Sequence, residues 1–135
     1  MLIIRSQEFT SSLHRLHSGD GNLFVEVAAD IRYLLRRRRS ACLPQVRFGL
    51  SQSRYSSVMG EVRSHVHGDT EFIRTLFALP IDESVCALLV MGDKNATGEN
   101  DRTGNAWYDQ AVPLADMIWG RILDSGVIRA QGRDT

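Results

Sequence analysis

The sequence predicts an α+β fold in a single domain, and three observations predict it. Val58 to Lys94 holds three apolar-rich runs separated by two turn signals, the pattern of a three-stranded meander. Asn22 to about Arg38 carries Leu23, Val27, Ala28, Ile31, Leu34 and Leu35 at three- and four-residue steps, one apolar face of a helix. The 135 residues are 43% hydrophobic, within the range of a one-core domain.

In chain order, Met1 to Ile4 reads as a short edge strand. Ser6 is placed to cap a first helix that carries Phe9, Leu13 and Leu16 and ends near Ser18-Gly19. The Asn22–Arg38 helix follows and closes on Arg36, Arg37, Arg38 and Arg39. Cations suit a helix C-terminus, but four in a row exceed what capping needs. A solvated helix end, a phosphate-contacting patch and a docking site for an acidic segment all fit that run. Residues 40–57 read as irregular, with Arg47, Arg54 and Tyr55 interleaving basic and aromatic groups, a pattern suited to nucleic-acid backbone contact and base stacking.

Within the meander the first turn sets a register. Gly68 and Asp69 suit a two-residue hairpin tip. Counting back pairs Ser64 with Ile73, Arg63 with Arg74 and Glu61 with Leu76. Alternation then puts Val58, Val62 and Val66 on one face with Thr75, Phe77 and Leu79. Glu61, Arg63, His65 and Arg74 fall on the other. Two arginines opposite each other repel, a conflict that a carboxylate or an anionic ligand relieves. An ordinary solvated face of mixed charge fits the same pattern.

Beyond the meander, Gly92 to Asn105 is nearly free of apolar residues and reads as a loop. Pro113 suits the first turn of a final helix with Leu114, Ala115, Ile118, Trp119 and Ile122 on its buried face. Trp107 is expected to seat this helix on the core. The domain is expected to span residues 1–128, with a disordered tail over 129–135.

Net charge is zero, but its distribution is uneven. Arg32 to Arg74 holds nine arginines against three carboxylates, a local charge of +6. Fifteen of the sixteen basic residues are Arg, whose planar fork suits phosphate. No apolar run is long enough for a membrane span, and the opening MLIIRSQEF is expected to be neither a signal nor an anchor, so a cytoplasmic protein is expected. Cys42 and Cys86 are expected as reduced thiols. His65 and His67 lack a third ligand, and neither a metal nor another cofactor is expected.

Taken together, Ser53-Arg54-Tyr55, Met59-Gly60-Glu61-Val62-Arg63, Phe72 to Ala78, Leu88 to Lys94, Trp107-Tyr108 and Ala111 to Asp116 resemble the RelE/HigB superfamily. The closer likeness is to its phage-derived, HigB-like branch of type II toxin–antitoxin toxins. The resemblance covers roughly residues 50–123. It implies two helices packed on a small twisted antiparallel sheet, with a C-terminal helix. It also implies a metal-independent mRNA endonuclease acting at the ribosome, inhibiting translation, and held in a hetero-oligomer by a helix-turn-helix antitoxin from the adjacent gene. In that chemistry the RNA 2′-OH attacks the neighbouring phosphorus. Arg63 and Arg74 would clamp the phosphate, Glu61 or His65 would be the base, Lys94 would add charge, and Tyr108 would stack or donate a proton. Arg36 to Arg39, Arg47, Arg54 and Tyr55 would contact RNA. The family commonly carries a lysine where Gly60 stands, and its loop before Trp-Tyr is shorter. A ParE-like gyrase poison and a catalytically silent binding module remain open alternatives.

Overall fold

The computed structural model describes residues 1–65, 72–95 and 105–128. Strand β1 (Leu2–Arg5) leads into helices α1 (Gln7–Gly19) and α2 (Gly21–Arg37) and a 3-10 turn over Arg38–Ser40. Strands β2 (Val46–Phe48), β3 (Met59–His65), β4 (Phe72–Ala78) and β5 (Val85–Asp93) follow, and α3 (Asn105–Asp124) closes the described fold. One mixed sheet has the order β1-β5-β4-β3-β2. The sheet is not wholly antiparallel as expected, because β1 runs parallel to β5. A parallel neighbour needs a crossover, and in this chain everything from α1 to β4 lies between the two strands in sequence.

Ser6 explains how the chain leaves β1. Its Oγ accepts the Phe9 N–H at 2.8 Å, capping α1, and donates to the Leu89 carbonyl at 2.6 Å. Leu89 is itself irregular: Leu76 pairs with Val90 but Phe77 pairs with Leu88, leaving Leu89 as a bulge. In α2 the cap is Asp20, which accepts the Leu23 N–H at 3.1 Å, and Leu23, Val27, Ile31 and Leu34 form the buried stripe.

The meander register is the one expected, with Glu61 opposite Leu76, Arg63 opposite Arg74 and Ser64 opposite Ile73. The Gly68-Asp69 tip and Val66 lie outside the described residues, as do residues 96–104 and the tail. Both sheet faces are covered. Val62, Ile73, Phe77, Cys86 and Leu88 pack under α1 and α2, while Met59, Leu76, Ala87 and Leu89 pack under α3. Val58 precedes β3 and joins the α3 side, against expectation. Burial pushes the Cys86 thiol up to about 12, so it behaves as a small apolar side chain. Cys42 is exposed, and neither cysteine is in a disulfide.

Two further elements differ from expectation. Val46-Arg47-Phe48, inside the stretch read as irregular, is a strand paired with Gly60 to Val62. Three residues are too few for periodicity to register, and pairing supplies what pattern did not. Helix α3 starts at Asn105, so Pro113 lies inside it. An interior proline costs about 3 kcal/mol, which burial of Trp107, Ala111, Val112, Ile118 and Trp119 offsets.

Candidate functional site

Alternation along β3 aims Glu61 and Arg63 at the α3 side, and pairing brings Arg74 of β4 beside them. From the other flank β2 presents Arg47 opposite Glu61. Lys94 follows the end of β5, and Tyr108 stands in the first turn of α3. These six side chains line one open cavity of about 290 Å³.

At its floor is a buried charge pair. Glu61 and Arg74 are each 1% exposed, and Arg74 Nε lies 3.4 Å from Glu61 Oε1. The Tyr108 hydroxyl donates to the same Oε1 at 2.5 Å, while Arg47 Nη1 approaches Oε2 at 4.0 Å from an exposed position. Glu61 thus meets Arg74 diagonally, and the Arg63–Arg74 repulsion is relieved by that carboxylate. Arg74 Nη1 donates to the Ile73 carbonyl at 3.2 Å, and its Nε finds no hydrogen-bond acceptor among the described residues. Phe72 adds a ring 5.8 Å from the Arg74 Cζ and 5.3 Å from the Lys94 Nζ.

Tyr108 has its phenol pushed up to about 12, chiefly by burial and then by the hydrogen bond and charge of Glu61, with Arg74 opposing. It is therefore a proton or hydrogen-bond donor at neutral pH and not a base. Four cations face one carboxylate in the cavity, so its field favours an anion. Asn105 also lines it, which sets the N-terminal end of α3 there, the end whose dipole attracts negative charge.

The glycines of this region serve packing. A side chain at Gly60 would begin 2.5 Å from Phe77 and 2.8 Å from the Arg47 carbonyl, which excludes a lysine there without rearrangement. At Gly92 it would begin 2.7 Å from Trp107 Nε1, so Trp107 seats α3 directly on β5, as expected.

Not every expected residue comes to the cavity. His65 ends β3, but its side chain lies outside what is described. Arg36, Arg37 and Arg38 are exposed at the end of α2. Arg39 is built into the fold: its N–H donates to Glu83 at 2.8 Å, its Nη1 to the Leu79 carbonyl at 2.8 Å, and its Cζ stacks 4.5 Å over Phe48. Phe48 meets Phe77 edge-on, in the cluster under α1 and α2, so the run sits across the sheet from the cavity. Arg54 and Tyr55 are also elsewhere. Tyr55 is half-buried with its hydroxyl over Gly120, about 22 Å along α3 from Asn105 at the usual rise per residue.

Sequence reasoning missed Asp116. Buried on α3, it accepts the Ser53 hydroxyl at 2.5 Å and the Arg54 N–H at 2.9 Å, and so pins the segment that brings Ser51 and Gln52 to the cavity rim. Asp116 lies next to the expected apolar positions, but only the neighbouring loop reveals its use. Among the described residues no group of three His, Cys, Asp or Glu side chains could hold a metal ion, and no helix is long and apolar enough to cross a membrane. No family model, curated protein or solved structure matches the chain.

Proposed function

We propose that the cavity binds the backbone of single-stranded RNA and cleaves it, and that the chain is a RelE/HigB-like toxin of a type II toxin–antitoxin pair. The observation that carries this reading is the convergence of Arg47, Arg63, Arg74 and Lys94 on the Glu61–Tyr108 pair. Cations aimed at a phosphate stabilise the charge that grows on its oxygens as a fifth bond forms. The 2′-oxygen bonds to phosphorus while its proton passes to the Glu61 carboxylate. The P–O5′ bond then breaks, and the leaving oxygen takes a proton from Tyr108, which recovers the one held by Glu61 across their hydrogen bond. The products are a 2′,3′-cyclic phosphate and a 5′-hydroxyl. The family would add a ribosome-bound message as substrate and an antitoxin as its restraint.

The test is cleavage of end-labelled RNA, free and ribosome-bound, by the purified chain, together with mapping of message in cells after induction. Arg63→Ala and Arg74→Ala are each expected to slow cleavage by about 10²- to 10³-fold. Arg63→Ala should also flatten the salt dependence of RNA binding by about 0.7 in log–log slope, the loss of one single-strand phosphate contact. Intact message during growth arrest would sink the reading, and DNA-damage signalling without RNA cleavage would point to gyrase poisoning.

A second reading has one observation in its favour. Glu61 is buried and both its oxygens are approached by other side chains, which suits a phosphate-binding module without chemistry. RNA that binds with the same salt dependence but is never cut would select it.

A further inference from the structure

The two edges of the sheet are built differently. At one, β2 is three residues long, follows Pro44 closely and carries Arg47 in an exposed position. Short strands, prolines and charged side chains are the usual means of keeping an edge from pairing with another chain. At the other edge β1, Leu2-Ile3-Ile4-Arg5, is also short at four residues, but it has no proline beside it and is mostly apolar, with Arg5 as its one charged side chain. The N–H groups of Leu2 and Ser6 donate inward, to the carbonyls of Ser84 and Leu88. Backbone groups alternate along a strand, so those of Ile3 and Arg5 face outward.

A groove flanks this edge on each side of the sheet. Toward α1 and α2 it has a volume of about 370 Å³, floored by Leu13, Ile31 and Leu35 and rimmed by Arg5 and Arg32. Toward α3 it has about 290 Å³ and lies between Ile4, Ile118 and Ile122. Ile3, 44% exposed, opens into the first, and Ile4 lines the second. A strand added outside β1 would send alternate side chains into the two grooves.

We propose that β1 is a docking edge for an extended acidic–apolar segment of a partner protein, which adds a sixth strand to the sheet. Charge selects this occupant. Arg5, Arg32 and Arg121 line the grooves against a single carboxylate, Glu8, which Arg121 already holds at 3.2 Å. Apolar side chains of the segment fill the floors, and its carboxylates meet Arg5 and Arg32. A second copy of this chain would bring the same cationic rim against itself. The proposal stands apart from the RNA reading, since the cavity is built on β2, β3 and β4 and the docking edge is across β5.

The probe is a random short linear peptide library displayed against the full chain. Enriched peptides are then measured by fluorescence anisotropy and by amide hydrogen exchange. Enrichment of alternating apolar and acidic residues is expected, with exchange slowed at the Ile3 and Arg5 amides on binding. N-methylating the peptide amides that face β1 should weaken binding about tenfold or more, with no change to the protein. Ile3→Pro, which removes an outward donor on an edge strand where proline is tolerated, should do the same and leave the far-UV circular dichroism of the protein unchanged. The proposal is overturned by a library without enrichment, by peptides indifferent to N-methylation, or by slowed exchange mapping to another surface. It is also overturned if light scattering finds a dimer that Ile3→Pro dissociates, since the occupant is then a second copy.

Discussion

Two groups of arginines are both expected from the sequence to meet phosphate, and they end differently in the fold. Arg36 to Arg39 are consecutive, so a helix end spreads them: three are exposed, Arg37 with its guanidinium over the Tyr33 ring, and the fourth is consumed by Glu83, Leu79 and Phe48. Arg47, Arg63 and Arg74 are far apart in the chain, yet strand pairing sets them around one carboxylate. The comparison teaches that linear charge density is a poor guide to a site. Convergence onto a shared counter-charge is the better one. Burial distinguishes the clusters as well, because a fully buried Arg74 has to be held by Glu61, whereas Arg36 needs nothing.

The comparison breaks most clearly at Glu61. Glu61→Ala leaves the buried Arg74 guanidinium without its carboxylate and should cost about 3–5 kcal/mol in urea unfolding. A loss under about 1 kcal/mol, the worth of a surface pair such as Arg121–Glu8, would show that the pair is not buried as described. Next comes the split within the arginine run. Arg39→Ala is expected to cost about 1–2 kcal/mol, through its hydrogen bond to Leu79 and its stacking on Phe48. Replacing Arg36, Arg37 and Arg38 together should change stability by only about 0.5 kcal/mol. Equal effects from the two changes would erase the distinction between Arg39 and its neighbours.

The smallest effect sharpens the cavity itself. The folded Tyr108 phenol has its pKa raised from 10 to about 12, so the neutral form is the one folding favours. Its contribution to stability is fully present below pH 10 and is lost as pH rises through about 12. The alkaline absorbance change that disappears in Tyr108→Phe should therefore be centred near pH 12. A centre near pH 10 would mean that the phenol is not sheltered against Glu61.

Much of the fold was legible because its signals are local. The Ser6 cap, the α2 stripe and the β3–β4 register each depend on residues close in sequence. Strand β2 was not legible, since three residues carry no usable period and only β3 beside them makes a strand. Pro113 misled for a related reason: its preference for a helix start is real but weak, and Trp107 packed over Gly92 begins α3 earlier. Gly60 reads in the sequence as a missing lysine, and the structure accounts for it as the only residue that fits between Phe77 and the Arg47 backbone.

The sequence alone determined which residues share a face of β3 and β4, because side chains alternate at every step whatever lies around them. It therefore brought Glu61, Arg63 and Arg74 together before any packing was known. Only the tertiary structure decided that α3 covers this face, that Tyr108 reaches Glu61, and that Arg47 joins from a neighbouring strand. It also decided that Arg36 to Arg39 stay on the other side of the sheet. Those outcomes depend on contacts between distant segments, and burial turns an awkward arginine pair into a cationic cavity around one carboxylate.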